Sequence, residues 1–221
     1  MRRVFRFLAS CAGTLFDAIL PQRGRTARTK GRALEDIPLM PQSHELLGAR
    51  ITTLMEYQNT AVEDLVRSLK YDGSTHATEL AASVLADYLR EEIASAHTFS
   101  GRKTLLVPVP LHKSRVRERG WNQIELVLKM LPEEFRNGTL AVFAPDLLAR
   151  TRATQPQTRL ARHARLSNVA GAFDLADTER ARTTHVFLID DVTTTGATLV
   201  NAATPLRQAG AKVSLLALAR A

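Results

Sequence analysis

A single cysteine, Cys11, is all the thiol chemistry in 221 residues. That excludes an internal disulfide framework and any cysteine-based zinc cluster within one chain, so no zinc is expected. Aromatic residues make up 5% of the sequence, which favours phosphate contacts over base stacking wherever a nucleic acid is engaged. Apolar runs long enough to span a membrane are missing. Arg6 breaks the apolar residues that follow Arg2 and Arg3, leaving too short a core for a secretory leader, and the expectation is a cytoplasmic chain. Acidic residues are also in deficit: 22 Asp and Glu oppose 30 Lys and Arg, giving a net charge of +8 and a pI near 10.2. The excess is regional, with net +5 over residues 1–50, net +8 over 102–170 and net −5 elsewhere. Such zoning suits a phosphate or nucleic-acid surface, and solvated helix faces are the alternative.

What is present divides the chain. Residues 1–50 read as an N-terminal segment and 51–221 as the main domain. In the first, Val4, Phe5, Leu8, Cys11, Ala12, Leu15, Phe16 and Ile19 recur at three and four, the spacing of an amphipathic helix. Residues 21–44 mix Pro, Gly and basic residues and read as an irregular linker or a degraded small module. Helices are predicted over 60–70 and 77–96, broken by Tyr71, Asp72 and Gly73, and again near 122–131 and 197–209. The runs 104–109, 186–189 and 213–218 are apolar without alternation, as buried parallel strands are. Strand, helix and strand over 186–218 form a βαβ unit, so the expected class is α/β with a doubly wound, mainly parallel sheet and flanking helices.

The chemistry concentrates in VFLIDDVTTTGATL, residues 186–199. Four apolar residues bring Asp190 and Asp191 to a strand's carboxyl end, where ligands bind in open α/β sheets. In the loop that follows, Thr193, Thr194, Thr195, Gly196, Ala197 and Thr198 let backbone N–H groups and hydroxyls approach an anion at the start of a new helix. The carboxylates would repel that anion, yet they suit vicinal hydroxyls one sugar ring away. A phosphorylated ribose meets both requirements.

This block resembles the signature of type I phosphoribosyltransferases, which bind phosphoribosyl pyrophosphate (PRPP). The resemblance implies a phosphoribosyltransferase-like fold. It implies that Asp190 and Asp191 hold the ribose hydroxyls and act as the catalytic pair, that the 193–198 loop holds the 5-phosphate, and that Mg2+ enters on substrate oxygens rather than through a protein cage. Three further stretches, LVRSLKYDG (65–73), VPVPLHKSRVRERGWNQ (107–123) and LLARTRATQPQTRLARHARLSNVAGAF (147–173), are similar to the competence protein ComF family. Together these motifs cover about residues 57–219. Val109, Pro110, Lys113, Arg115 and Arg119 are the candidates for pyrophosphate, with Arg117 beside them and His112 weaker. Trp121 and Asn122 read as structural residues opening a helix. Arg150, Arg152, Gln155 and Arg159 could cover the bound PRPP, track a nucleic-acid backbone or solvate a helix, and the segment 168–173 reads as a packed turn and strand.

The sequence departs from the ComF pattern at its N-terminal zinc finger, since Gly24 and Ala27 stand where the first paired cysteines belong. Two functions are carried forward: a PRPP-binding enzyme with possible phosphoribosyl transfer to an unspecified acceptor, and a non-catalytic competence module for DNA uptake. The latter would engage single-stranded DNA or a helicase partner.

Overall fold

The structure, a computed structural model, describes residues 24–151 and 171–221. The amphipathic stretch at residues 2–19 lies outside them. In chain order the elements are α1 (Gly24–Lys30), β1 (Gln42–Leu46), β2 (Ala49–Glu56), α2 (Thr60–Tyr71), α3 (Thr75–Ser100), β3 (Thr104–Pro108), α4 (Lys113–Arg119), α5 (Gln123–Met130), β4 (Val142–Phe143), β5 (Leu148–Arg150), β6 (Phe173–Leu175), α6 (Thr178–Ala181), β7 (His185–Thr193), α7 (Ala197–Gln208) and β8 (Lys212–Arg220). Six strands form one sheet in the order β1-β2-β8-β7-β3-β4. Only β1 runs antiparallel, to β2; the remaining neighbours pair in parallel. The protein is thus α/β, with a mostly parallel mixed sheet and flanking helices.

Parallel strands buried on both faces need apolar residues on both, which is why β3 and the first five residues of β7 are buried without alternation. Alternation governs which layer each side chain joins instead. Leu106, Phe187 and Ile189 pack with α2, α3 and α5, whereas Leu105, Val107, Val186 and Leu188 pack with α7. The helices α5 and α7, which follow β3 and β7, therefore cover opposite faces. Their strands lead outward in opposite directions, to β4 and to β8. Neighbouring strands with divergent crossovers open a crevice at their carboxyl ends, and β3 and β7 create one here.

The segment 21–44 departs from the linker expectation. Residues 24–30 form a helix because its arginines find carboxylates on α2 and at its C-cap. Arg25 donates to both oxygens of Asp72 (2.8 and 2.9 Å) and Arg28 to both of Asp64 (2.8 and 2.7 Å), while Arg32 Nη1 lies 3.1 Å from Asp64. Thr29 is fully buried beneath them. Basic composition hid a two-sided ion-pair seam. The expected division at residue 50 coincides with the second residue of β2, whose hairpin partner β1 forms the sheet edge.

Candidate functional site

Local sequence builds the crevice from both sides. On the β7 side, the strand ends in Asp190 to Thr193, and Gly196 turns the chain into α7 at φ +80°. A β-carbon at Gly196 would meet Ile51 Cδ1 at 2.7 Å and Leu46 Cβ at 3.0 Å. The loop is therefore seated on the β1–β2 hairpin so closely that only glycine fits. Gly196 is the N-cap of α7 and offers no side chain to cap it, and the first turn carries no acidic residue. The positive end of a twelve-residue helix thus faces the loop formed by Thr193, Thr194 and Thr195. Thr195 Oγ1 accepts from the Ala197 N–H at 3.4 Å, an additional turn constraint.

On the β3 side, Val109 N donates to Ile189 O at 2.8 Å, extending the pairing with β7 one residue past the strand. Asn122 holds the loop's far end: its Nδ2 donates to Val109 O at 3.0 Å, and its Oδ1 accepts from Ile124 N and Glu125 N as the N-cap of α5. Trp121 Nε1 donates to Leu69 O at 3.1 Å, and its ring lies 3.1 Å from where a β-carbon of Gly73 would stand. Both residues are structural, as the sequence suggested. His112 caps α4, its Nδ1 accepting from Ser114 N at 3.2 Å. Between these anchors α4 carries Lys113, Arg115, Arg117 and Arg119 and buries none of its residues. Arg119 lies over the Tyr71 ring at 5.4 Å.

The two carboxylates differ in environment. Asp191 is buried, and its Oδ1 accepts from Val192 N at 2.5 Å. Its Oδ2 accepts from Gln123 Nε2 and meets Lys70 Nζ at 3.2 Å. Asp190, one residue earlier on a pleated strand, belongs to the opposite face and is half-buried. Its Oδ1 accepts from the Asp191 N–H at 2.9 Å. Desolvation first, and the neighbouring Asp191 charge second, push its carboxyl up to about 7. Arg150, from β5, stands near enough for its charge to act on Asp190, and it stacks 5.2 Å from Phe173. Burial holds its guanidinium below the ordinary arginine value. Arg152, Gln155 and Arg159 lie outside the described residues.

Sequence reading missed Lys70 and Gln123. The signal was there for Lys70, inside LVRSLKYDG and one helical position after a buried Leu69. Gln123 closes the ComF-like stretch 107–123, but by its own pattern it reads only as the first residue of an amphipathic helix. Its Oε1 is buried and finds no donor among the described residues. A buried acceptor left so costs roughly 1–3 kcal/mol.

Aligned over 164 residues, the chain is 30% identical to the DNA utilization protein YhgH of Escherichia coli K12, covering 73% of this chain and 67% of that protein. The namesake from Salmonella typhimurium is 32% identical over 149 residues, covering 66% and 61%. The chain belongs to the ComF family. Competence protein F of Haemophilus influenzae, 33% identical over 118 residues, covers 52% of the chain and is itself covered to 50%. No protein-family model matches the sequence. The ComF-like motifs quoted from the sequence bracket the crevice: one supplies Lys70, a second supplies α4 and Gln123, and a third begins at β5 with Arg150.

Proposed function

We propose that the crevice binds PRPP with Mg2+, in a phosphoribosyltransferase-like fold, and that the protein serves DNA utilization or competence as its relatives' names indicate. One observation carries the reading: the divergent β3 and β7 crossovers open beside a carboxylate, Asp190, and an acid-free helix start sealed by Gly196. The 193–198 loop would take the 5-phosphate. Asp190, half-buried beside the loop, would accept from a ribose hydroxyl. Lys113, Arg115 and Arg119, beyond Val109 and Pro110, would face the pyrophosphate. The residues fit Mg2+ carried on ligand oxygens, since such an ion keeps waters and needs only an acidic edge. Bound there, it would neutralise phosphate charge.

Phosphoribosyl transfer would break the bond from ribose C1 to pyrophosphate, the electron pair leaving with the pyrophosphate, and form one from C1 to an acceptor nucleophile. Titration calorimetry tests the binding. Magnesium-dependent PRPP affinity is expected, and Asp190→Asn with Asp191→Asn should abolish it; an unchanged affinity in that variant refutes the reading. A panel of bases and amines assayed for PRPP consumption would then identify the acceptor.

The solvent-facing basic helix α4 favours a second reading, binding of single-stranded DNA through its phosphates. Log affinity should then fall steeply with log salt concentration, and a flat response refutes it.

A further inference from the structure

We propose that Lys70 anchors the pyrophosphate of PRPP and that Asp191 and Gln123 position it, a role that rests on the PRPP reading above. The two carboxylates then have separate tasks. Asp191 is no free diol acceptor: Val192 N takes Oδ1, and Gln123 Nε2 and Lys70 Nζ take Oδ2. Its surroundings instead describe a buried anion built to hold a cation. Asp190, on the other face of β7, is only half-buried.

Lys70 is placed with corresponding care. It occupies the last turn of α2, where a cation meets the negative end of the helix dipole. The preceding carbonyl, Leu69 O, accepts from Trp121 Nε1, which ties that turn to the loop after β3. The same loop is pinned by Asn122 to Val109, beside β7. The Lys70 ammonium is thus held against Asp191 of β7 by a helix end tied to the loop after β3, and its side chain stays 19% exposed. An ammonium has three donors and Asp191 engages one face of it, so an anion entering from the crevice can be met by the others. A triply charged group approaching two carboxylates gains from such a fixed cation beside the Mg2+ it would carry. Lys113, Arg115 and Arg119 stand on a helix that buries nothing, so they offer charge without comparable fixation.

Calorimetry on the full chain with two probes tests the assignment: magnesium pyrophosphate and ribose 5-phosphate. Lys70→Met is expected to weaken pyrophosphate binding by about ten-fold and leave ribose 5-phosphate within about two-fold, while Lys70→Arg recovers part of the loss. Lys70→Met also strips Asp191 of its counter-charge, so Lys70→Met with Asp191→Asn provides a neutral pair that keeps the fold and should retain the pyrophosphate defect. Equal weakening of both probes, or unchanged pyrophosphate binding, overturns the assignment and leaves the ribose phosphate site standing. Wild-type protein that binds neither probe overturns the assignment and the PRPP reading together.

Discussion

Replacing Gly196 with alanine tests the seat of the phosphate loop directly. Two penalties add. An L-residue at φ +80° pays about 1–2 kcal/mol for the left-handed conformation. The new β-carbon also lands 2.7 Å from Ile51 Cδ1, a fully buried atom group in a fixed strand, and overpacking of that kind costs about 1–3 kcal/mol. Reduced freedom of the unfolded chain returns about 0.4–1 kcal/mol. The net loss should be about 1–5 kcal/mol, or roughly 2–20 °C in Tm for a chain of this size. Denaturant unfolding followed by circular dichroism measures it. Ile51→Val deletes the clashing methyl and alone costs about 1 kcal/mol. In combination with Gly196→Ala the two should cost about 1–2 kcal/mol less than their sum, because the steric part is relieved and the dihedral part is not. Ribose 5-phosphate affinity should fall in Gly196→Ala even at temperatures where it is folded. A stability loss below about 0.5 kcal/mol, or strict additivity with Ile51→Val, would show that neither the conformation nor the hairpin constrains this turn.

Asp190 makes stability fall as pH rises. Its ordinary value is 3.8 and its folded value is about 7, so between those limits the folded state binds the extra proton, and its contribution, complete below about pH 4, is lost by pH 7. Asp190→Asn should flatten that part of a denaturation-versus-pH curve, and an unchanged slope refutes the assignment. Ribose 5-phosphate binding should strengthen as pH rises through about 7, beyond the ligand's own phosphate titration, and Asp190→Asn should retain only the latter. Asp64 behaves oppositely, because the hydrogen-bonded Arg28 guanidinium holds its carboxyl below the ordinary value. Asp64→Ala with Asp72→Ala should release α1 and open Arg25 and Arg28 to trypsin while the sheet core stays protected. Equal protection in wild type and variant would refute the seam.

How far the sequence disclosed this molecule depended on how local each cause was. The apolar runs 104–109 and 186–189 and the helices near 122–131 and 197–209 were legible, because a core with two faces demands uninterrupted apolar residues, whereas α4, which buries none of its residues, was not. Asn59, Ser74 and Asn122 mark helix starts by their side chains, and each accepts from the first-turn N–H groups. The β1–β2 hairpin was not legible, since β1, QSHEL, is polar and half-exposed at the sheet edge. Neither was α1, which depends on carboxylates 36 to 47 positions away. At the site, the order Asp-Asp-loop-helix was readable, but the unequal roles of the two acids were not. A strand pleat sends adjacent residues to opposite faces, and only the packing of α2 and α5 shows that Asp191's face is the occupied one.

The seam also changes where a polyanion could act. Regional counting gave residues 1–50 a net charge of +5, yet Arg25, Arg28 and Arg32 are each committed to Asp72 or Asp64, so much of that charge is neutralised across the α1–α2 contact. The basic residues of α4 have a different setting. None is buried, and Arg115 is near enough to Arg150 for its charge to act there, as Arg150 is to Asp190. A nucleic-acid backbone drawn to α4 would therefore pass over the mouth of the crevice. The two functional readings then predict competition rather than independence: PRPP should weaken single-stranded DNA binding, and DNA should weaken PRPP binding by the same factor, as thermodynamic linkage requires.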